Sequence, residues 1–89
     1  MNQVEKQILE SIFDALDRLF DRECKVIDVS ALLYASEKAL IDSAIVPLDS
    51  YVAKLEKIVR SDEPEDIQRD HALDITNNLR VALNELLPI

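Results

Sequence analysis

The chain has 89 residues with 18 acidic and 10 basic side chains, a formal net charge of −8, and no glycine. Sheet proteins normally use glycine in hairpins and bulges, so its absence, together with many Leu, Ala, Glu and Lys residues, favours helices. Nucleic acids are bound largely by neutralising phosphates with Lys and Arg, which makes so acidic a chain a poor candidate. The same charge opposes adsorption to anionic membranes.

Targeting signals are not evident either. No segment approaches the ~20 apolar residues that span a bilayer, and residues 1–6 lack the basic and then apolar layout of a signal peptide. A single cysteine, Cys24, cannot form an internal disulfide. We therefore expect a cytoplasmic protein.

The first predicted helix covers about residues 3–22. Its apolar residues recur every three or four positions and fill roughly half of the helix circumference, wider than the ~100° stripe of an ordinary surface helix. They are Val4, Ile8, Leu9, Ile12, Phe13, Ala15, Leu16, Leu19 and Phe20.

A second helix is predicted over about residues 29–43. Asp28 or Ser30 can supply the N-cap oxygen, and Ile27 or Val29 can pack across the helix start. The main apolar stripe consists of Val29, Leu32, Leu33, Ser36, Ala39 and Leu40. A second apolar line lies on another side and consists of Tyr34, Ile41 and Ile45.

Prolines mark the last two predicted helices, at about residues 47–60 and 64–87. Pro47 and Pro64 suit a first helical turn, where the missing N–H is harmless, and Pro88 ends the fourth helix. The stripe of the third helix contains Leu48, Tyr51, Val52, Leu55, Ile58 and Val59. The inner side of the fourth is predicted to contain Ile67, His71, Ile75, Leu79, Ala82, Leu83 and Leu86.

The four segments predict a single all-α domain over residues 1–89. Short connections favour antiparallel neighbours, so the expected architecture is a small four-helix up-and-down bundle. Dimerisation could complete it.

A row of carboxylates accompanies the fourth helix and forms an acidic surface: Asp62, Glu63, Asp66, Asp70 and Asp74. Such a row could bind Mg²⁺, which prefers oxygen ligands. However, acids in the first turns also complement the positive end of a helix, and those beyond it are readily solvated. A solvated surface is therefore the favoured interpretation, and we expect no metal site.

Two known kinds of helical metal site can be compared with the sequence. Small helical nucleotide pyrophosphatases hold Mg²⁺ with Glu-x-x-Glu and Glu-x-x-Asp pairs, to which Asp14-x-x-Asp17 and Glu63-x-x-Asp66 are the nearest approaches. The Glu-x-x-His motif of di-iron bundles is missing, because Gln68 stands three residues before the single histidine. An Mg²⁺-dependent pyrophosphatase is thus the least favoured hypothesis.

Few other side chains suggest catalysis. His71 falls within the predicted inner stripe, where a buried polar group is normally satisfied by a hydrogen bond. Cys24 follows a helix end instead of the helix N-terminus that would stabilise a thiolate. Glycine-rich phosphate loops cannot form without glycine. We therefore expect no catalytic residues and no cofactor.

The second helix carries more apolar surface than one stripe requires. If Val29, Leu33 and Leu40 face the core, then Tyr34, Ile41 and Ile45 are left outside, and an exposed apolar patch usually marks an interaction site. Two other interpretations remain open, since this helix could be packed on both sides and Ile45 could belong to a loop. The leading hypothesis is a non-catalytic protein that binds a protein partner, with a homodimer as the leading form.

The alternative hypothesis is an acidic inhibitor of a basic protein, as in an immunity protein or antitoxin that neutralises a nuclease toxin. Negative surfaces speed association with basic clefts and can substitute for nucleic-acid phosphates. In size, charge and helical class the chain is similar to some bacterial immunity proteins. The His-Pro and Tyr-Tyr-Pro segments of the colicin DNase immunity proteins are missing, and no family is recognised.

Overall fold

The fold is given by a computed structural model that describes residues 3–40 and 48–87. These residues form four α-helices and contain no strand, which confirms the prediction of a small all-α four-helix bundle. The helices are α1 (Gln3–Phe20), α2 (Val26–Ala39), α3 (Asp49–Arg60) and α4 (Glu65–Leu86). Within the described residues, no helix has both the length and the apolar character needed to cross a membrane.

Each helix packs against the next, α1 closes the ring against α4, and α2 also touches α4 across the bundle. Arg80, late in α4, contacts Phe13 and Asp17 of α1, whereas the first turn of α4 lies beside the α1–α2 connection. Hence α1 and α4 run antiparallel. The buried core draws on every helix: Leu9, Ile12, Leu16, Leu19, Val26, Val29, Leu33, Leu40, Leu48, Val52, Leu55, Ala72, Leu79, Leu83 and Leu87.

The wide apolar side of α1 is largely used inside the bundle. Phe13 and Ala15 flank the buried stripe and pack against the core. The Arg80 guanidinium carbon also lies 5.4 Å from the centre of the Phe13 ring. A helix with neighbours on two sides needs a wider apolar face than a surface helix. Only the ends of this face are open, at Val4 and Phe20.

The start of α2 differs from the prediction. The helix begins at Val26 with Lys25 as its N-cap, so neither Asp28 nor Ser30 is the cap residue. Asp28 occupies the third helical position, where its carboxylate accepts the Lys25 backbone N–H at 3.0 Å. This is one half of a capping box, and it satisfies a backbone donor that the helix start would otherwise leave unpaired. Ser30 is instead buried in the helix.

The connection between α2 and α3 is described only at its ends. The described part of α2 ends at Ala39, with the Leu40 N–H donating to the Ser36 carbonyl at 2.9 Å. The predicted extension of this helix to residue 43 and the predicted start of the next at Pro47 lie outside the described residues. The buried Leu48 stands immediately before α3, which begins at Asp49.

The inner face of α4 is rotated relative to the prediction. Its buried residues are Ala72, Thr76, Leu79 and Leu83. His71, Ile67 and Leu86 are exposed, so their placement in the inner stripe was wrong. The reason is that a small residue and a self-satisfied hydroxyl face the core, since Thr76 Oγ1 donates to the Ala72 carbonyl at 2.7 Å. A stripe that is chosen by hydropathy omits alanine and threonine, because larger apolar side chains stand beside them in the sequence.

Candidate functional site

The outward side of α2 is a line of exposed, mostly apolar residues, which we call the α2 outer face: Ile27, Ala31, Tyr34 and Lys38. They follow one another at spacings of four, three and four, so they share one side of the helix. Ile27 is 56% exposed and Tyr34 is 49% exposed. The sequence prediction that Tyr34 lies outside the core is therefore confirmed.

The opposite side of α2 already supplies the core. Val26, Val29 and Leu33 are buried there, and the helix contacts α1, α3 and α4. Its three neighbours lie on its inner side, and no other described helix packs on its outer side. The alternative that this helix is packed on both sides does not hold for these residues.

Sequence reasoning missed Ile27 and could place only part of this line. Ile27 stands seven residues before Tyr34 and thus continues the same line, but it was assigned to the helix start because α2 was expected to begin later. Ile41 and Ile45, which were predicted to extend the line, lie outside the described residues. The α2 outer face therefore extends over about three turns of the described helix.

The single charge in the α2 outer face is held against its aromatic ring. The Lys38 ammonium lies 5.3 Å from the centre of the Tyr34 ring, within the range of a cation–π contact. The lysine stem can lie on apolar surface while its ammonium stays in water. No carboxylate belongs to this face, which separates it from the acidic remainder of the molecule.

The acidic surface is exposed along its whole length. Asp66, Asp70 and Asp74 follow one another at four-residue intervals on α4, and Asp62 and Glu63 precede that helix. Within residues 3–40 and 48–87, the ion pairs closer than 4 Å are Lys6–Glu10, Arg18–Asp14 and Arg80–Asp17. None of them neutralises the acidic surface.

Of the two carboxylate pairs considered for Mg²⁺, one is paired with arginines and the other does not lie within one helix. The Asp14 carboxylate lies 3.1 Å from Arg18 Nε, and the Asp17 carboxylate forms an ion pair with Arg80. Glu63 precedes α4 instead of lying within it. In the part of the chain that the structure describes, no three His, Cys, Asp or Glu side chains are placed to hold a metal ion together.

Cys24 and His71 lie in different surroundings. The partly buried Cys24 thiol donates to the Ala15 carbonyl at 3.7 Å, and burial, reinforced by the nearby Asp28 carboxylate, raises its pKa. A raised pKa keeps the sulfur as the unreactive thiol. His71 is exposed on α4.

A cleft of about 550 Å³ lies between the α1–α2 connection and the start of α4. It mixes cations with carboxylates, so its charges largely cancel. Its lining comprises Leu19, Arg22, Glu23, Cys24, Lys25, Val26, Glu65, Asp66 and Arg69.

Comparison with known proteins gives no relative from which a function could be transferred: no family model, no curated protein and no solved structure matches the chain.

Proposed function

We propose that this chain is a non-catalytic, small, acidic helical protein that binds a protein partner, in the first place a second copy of itself, through the α2 outer face. The observation that carries the proposal is the exposure of Ile27 and Tyr34 in one line on a helix whose other side already lies in the core. Apolar side chains aligned on an exposed helix face are what a helix-to-helix contact buries.

The energy available from this face is appreciable. An aromatic side chain buries ~150–250 Å², so a half-exposed tyrosine leaves on the order of 100 Å² for a partner to cover. At ~25 cal/mol per Å² this corresponds to about 2–3 kcal/mol before the cost of association. In a symmetric dimer each exposed residue contributes twice, and two-fold dimers are the commonest soluble oligomers.

Light scattering coupled to size exclusion tests the proposal with a matched pair of variants. The wild-type protein should elute at high micromolar concentration with twice the 10.1 kDa chain mass. Tyr34→Glu should shift the mass towards one chain, because it places a carboxylate in an apolar contact. Val81→Glu is the control, since Val81 is 53% exposed on α4 and lies outside the α2 outer face.

Two results would refute the proposal. One is a wild-type protein that remains a single chain over the whole concentration range. The other is a dimer that Val81→Glu dissociates while Tyr34→Glu leaves it intact.

A second candidate function, an inhibitor of a basic nuclease or toxin, is favoured by the acidic surface that no described ion pair neutralises. Such binding should weaken steeply with rising salt, whereas self-association of a chain with charge −8 should strengthen because repulsion is screened. The test is inhibition of a basic nuclease encoded beside this chain. Asp66→Asn with Asp70→Asn should slow the association rate several-fold, and an unchanged rate would exclude this use of the surface.

A further inference from the structure

We infer that two copies meet through the α2 outer face with their α2 helices antiparallel and with the two-fold axis passing between Ala31 and Tyr34. This inference rests on the proposed self-association and adds its orientation and register. It is drawn from the order of large, small and charged residues along the described part of α2: Ile27, Ala31, Tyr34 and Lys38.

Side-chain size favours the antiparallel arrangement. Ala31 and Tyr34 are adjacent in the α2 outer face and both exposed. Antiparallel pairing about their midpoint places each tyrosine ring opposite the alanine of the other copy, so a large side chain fills the space above a small one. Parallel pairing would set ring against ring at one level and methyl against methyl at the next, which leaves a gap between the helices.

The position of the charge favours the same arrangement. Lys38 lies towards the C-terminal end of the face, and Asp28 is exposed in the first turn of α2. In a parallel pair the two Lys38 ammonium groups would lie at the same height and repel each other. In the antiparallel pair each lysine lies over the opposite end of the other helix, where Asp28 supplies a carboxylate.

Helix dipoles add to this preference. Two parallel helices in contact align their macrodipoles side by side, which is unfavourable, whereas antiparallel helices oppose them. The dipole and the Lys38 repulsion both weaken in salt. The Tyr34–Ala31 packing does not, so it fixes the register at physiological ionic strength.

Distance measurement between spin labels in the wild-type assembly tests the orientation. The labels are placed singly at Ala35→Cys or Ala39→Cys, both exposed positions of α2, with Cys24→Ser removing the only native thiol. In the antiparallel pair the axial separation of the two labels grows by about 12 Å from position 35 to position 39, at a rise of 1.5 Å per residue. The Ala39 label should therefore give the longer distance.

The outcomes separate this inference from the proposed function. A dimer in which the two positions give equal distances has either parallel helices or an antiparallel axis level with Glu37, and both results overturn the inference while leaving self-association intact. An Ala39 distance shorter than the Ala35 distance overturns the register between Ala31 and Tyr34. A labelled protein with the mass of one chain and no dipolar coupling refutes the inference together with the proposed function.

Discussion

At the scale of single residues, an arginine adopts a backbone conformation that glycine usually occupies. Arg22 adopts a φ of 64° at the end of α1, where the Glu23 N–H donates to the Arg18 carbonyl at 2.8 Å. This left-handed position after a helix is commonly occupied by glycine, because a side chain there costs roughly 1–2 kcal/mol. Arg22 therefore carries strain that other described residues do not.

Replacing this arginine should stabilise the fold. Arg22→Gly relieves the strained conformation, and although the unfolded chain gains freedom, we expect a net increase of about 0.5–1 kcal/mol in the free energy of unfolding. Urea denaturation measures it. Glu23→Gly is the control and should give no gain, because Glu23 has no positive φ; equal effects of both variants would contradict the assignment of strain.

The Cys24 thiol offers a second residue-scale prediction. Because burial raises its pKa, the folded protein holds the neutral thiol more tightly than the unfolded chain does. The resulting stability is complete below the ordinary thiol pKa and is lost as the pH rises through the raised value. We expect alkylation of the native protein to accelerate at higher pH than alkylation in urea. Identical pH profiles in the two conditions would contradict this account.

At the scale of elements, the sequence predicts the number, order and approximate bounds of the helices, because apolar periodicity and proline positions are local signals. It predicts helix faces less well. On α3, the buried Val52 and Leu55 belong to the predicted stripe. On α4 the prediction counted His71 as inner, whereas Ala72 and Thr76 face the core. Which side of a helix faces its neighbours depends on close packing that hydropathy alone does not record.

Matched leucine substitutions on α4 check the observed face. Ala72 is fully buried, so Ala72→Leu should overpack the core and lower the free energy of unfolding by about 1–3 kcal/mol. His71→Leu introduces the same side chain at an exposed position and should change it by less than about 0.5 kcal/mol. Denaturant titration of both variants provides the comparison. If Ala72→Leu left the free energy of unfolding unchanged and His71→Leu changed it strongly, the observed face of α4 would be contradicted.

At the scale of the whole molecule, the acidic surface lies on and before α4, whereas the α2 outer face carries one charge, that of Lys38. The candidate site could be predicted only in part: Tyr34 was identified from its spacing, whereas Ile27 required the true start of α2. Exposure of the face follows from how three neighbours arrange themselves around one helix, a relation between segments distant in sequence. No local pattern encodes it.

The central claim, that the α2 outer face is covered when copies associate, is tested most directly by amide chemical-shift mapping over a dilution series of the wild-type protein. The account predicts concentration-dependent shifts centred on Ile27, Ala31, Tyr34 and Lys38, with α4 residues such as Val81 unaffected. Spectra that do not change with concentration, or changes confined to the acidic surface of α4, would contradict it.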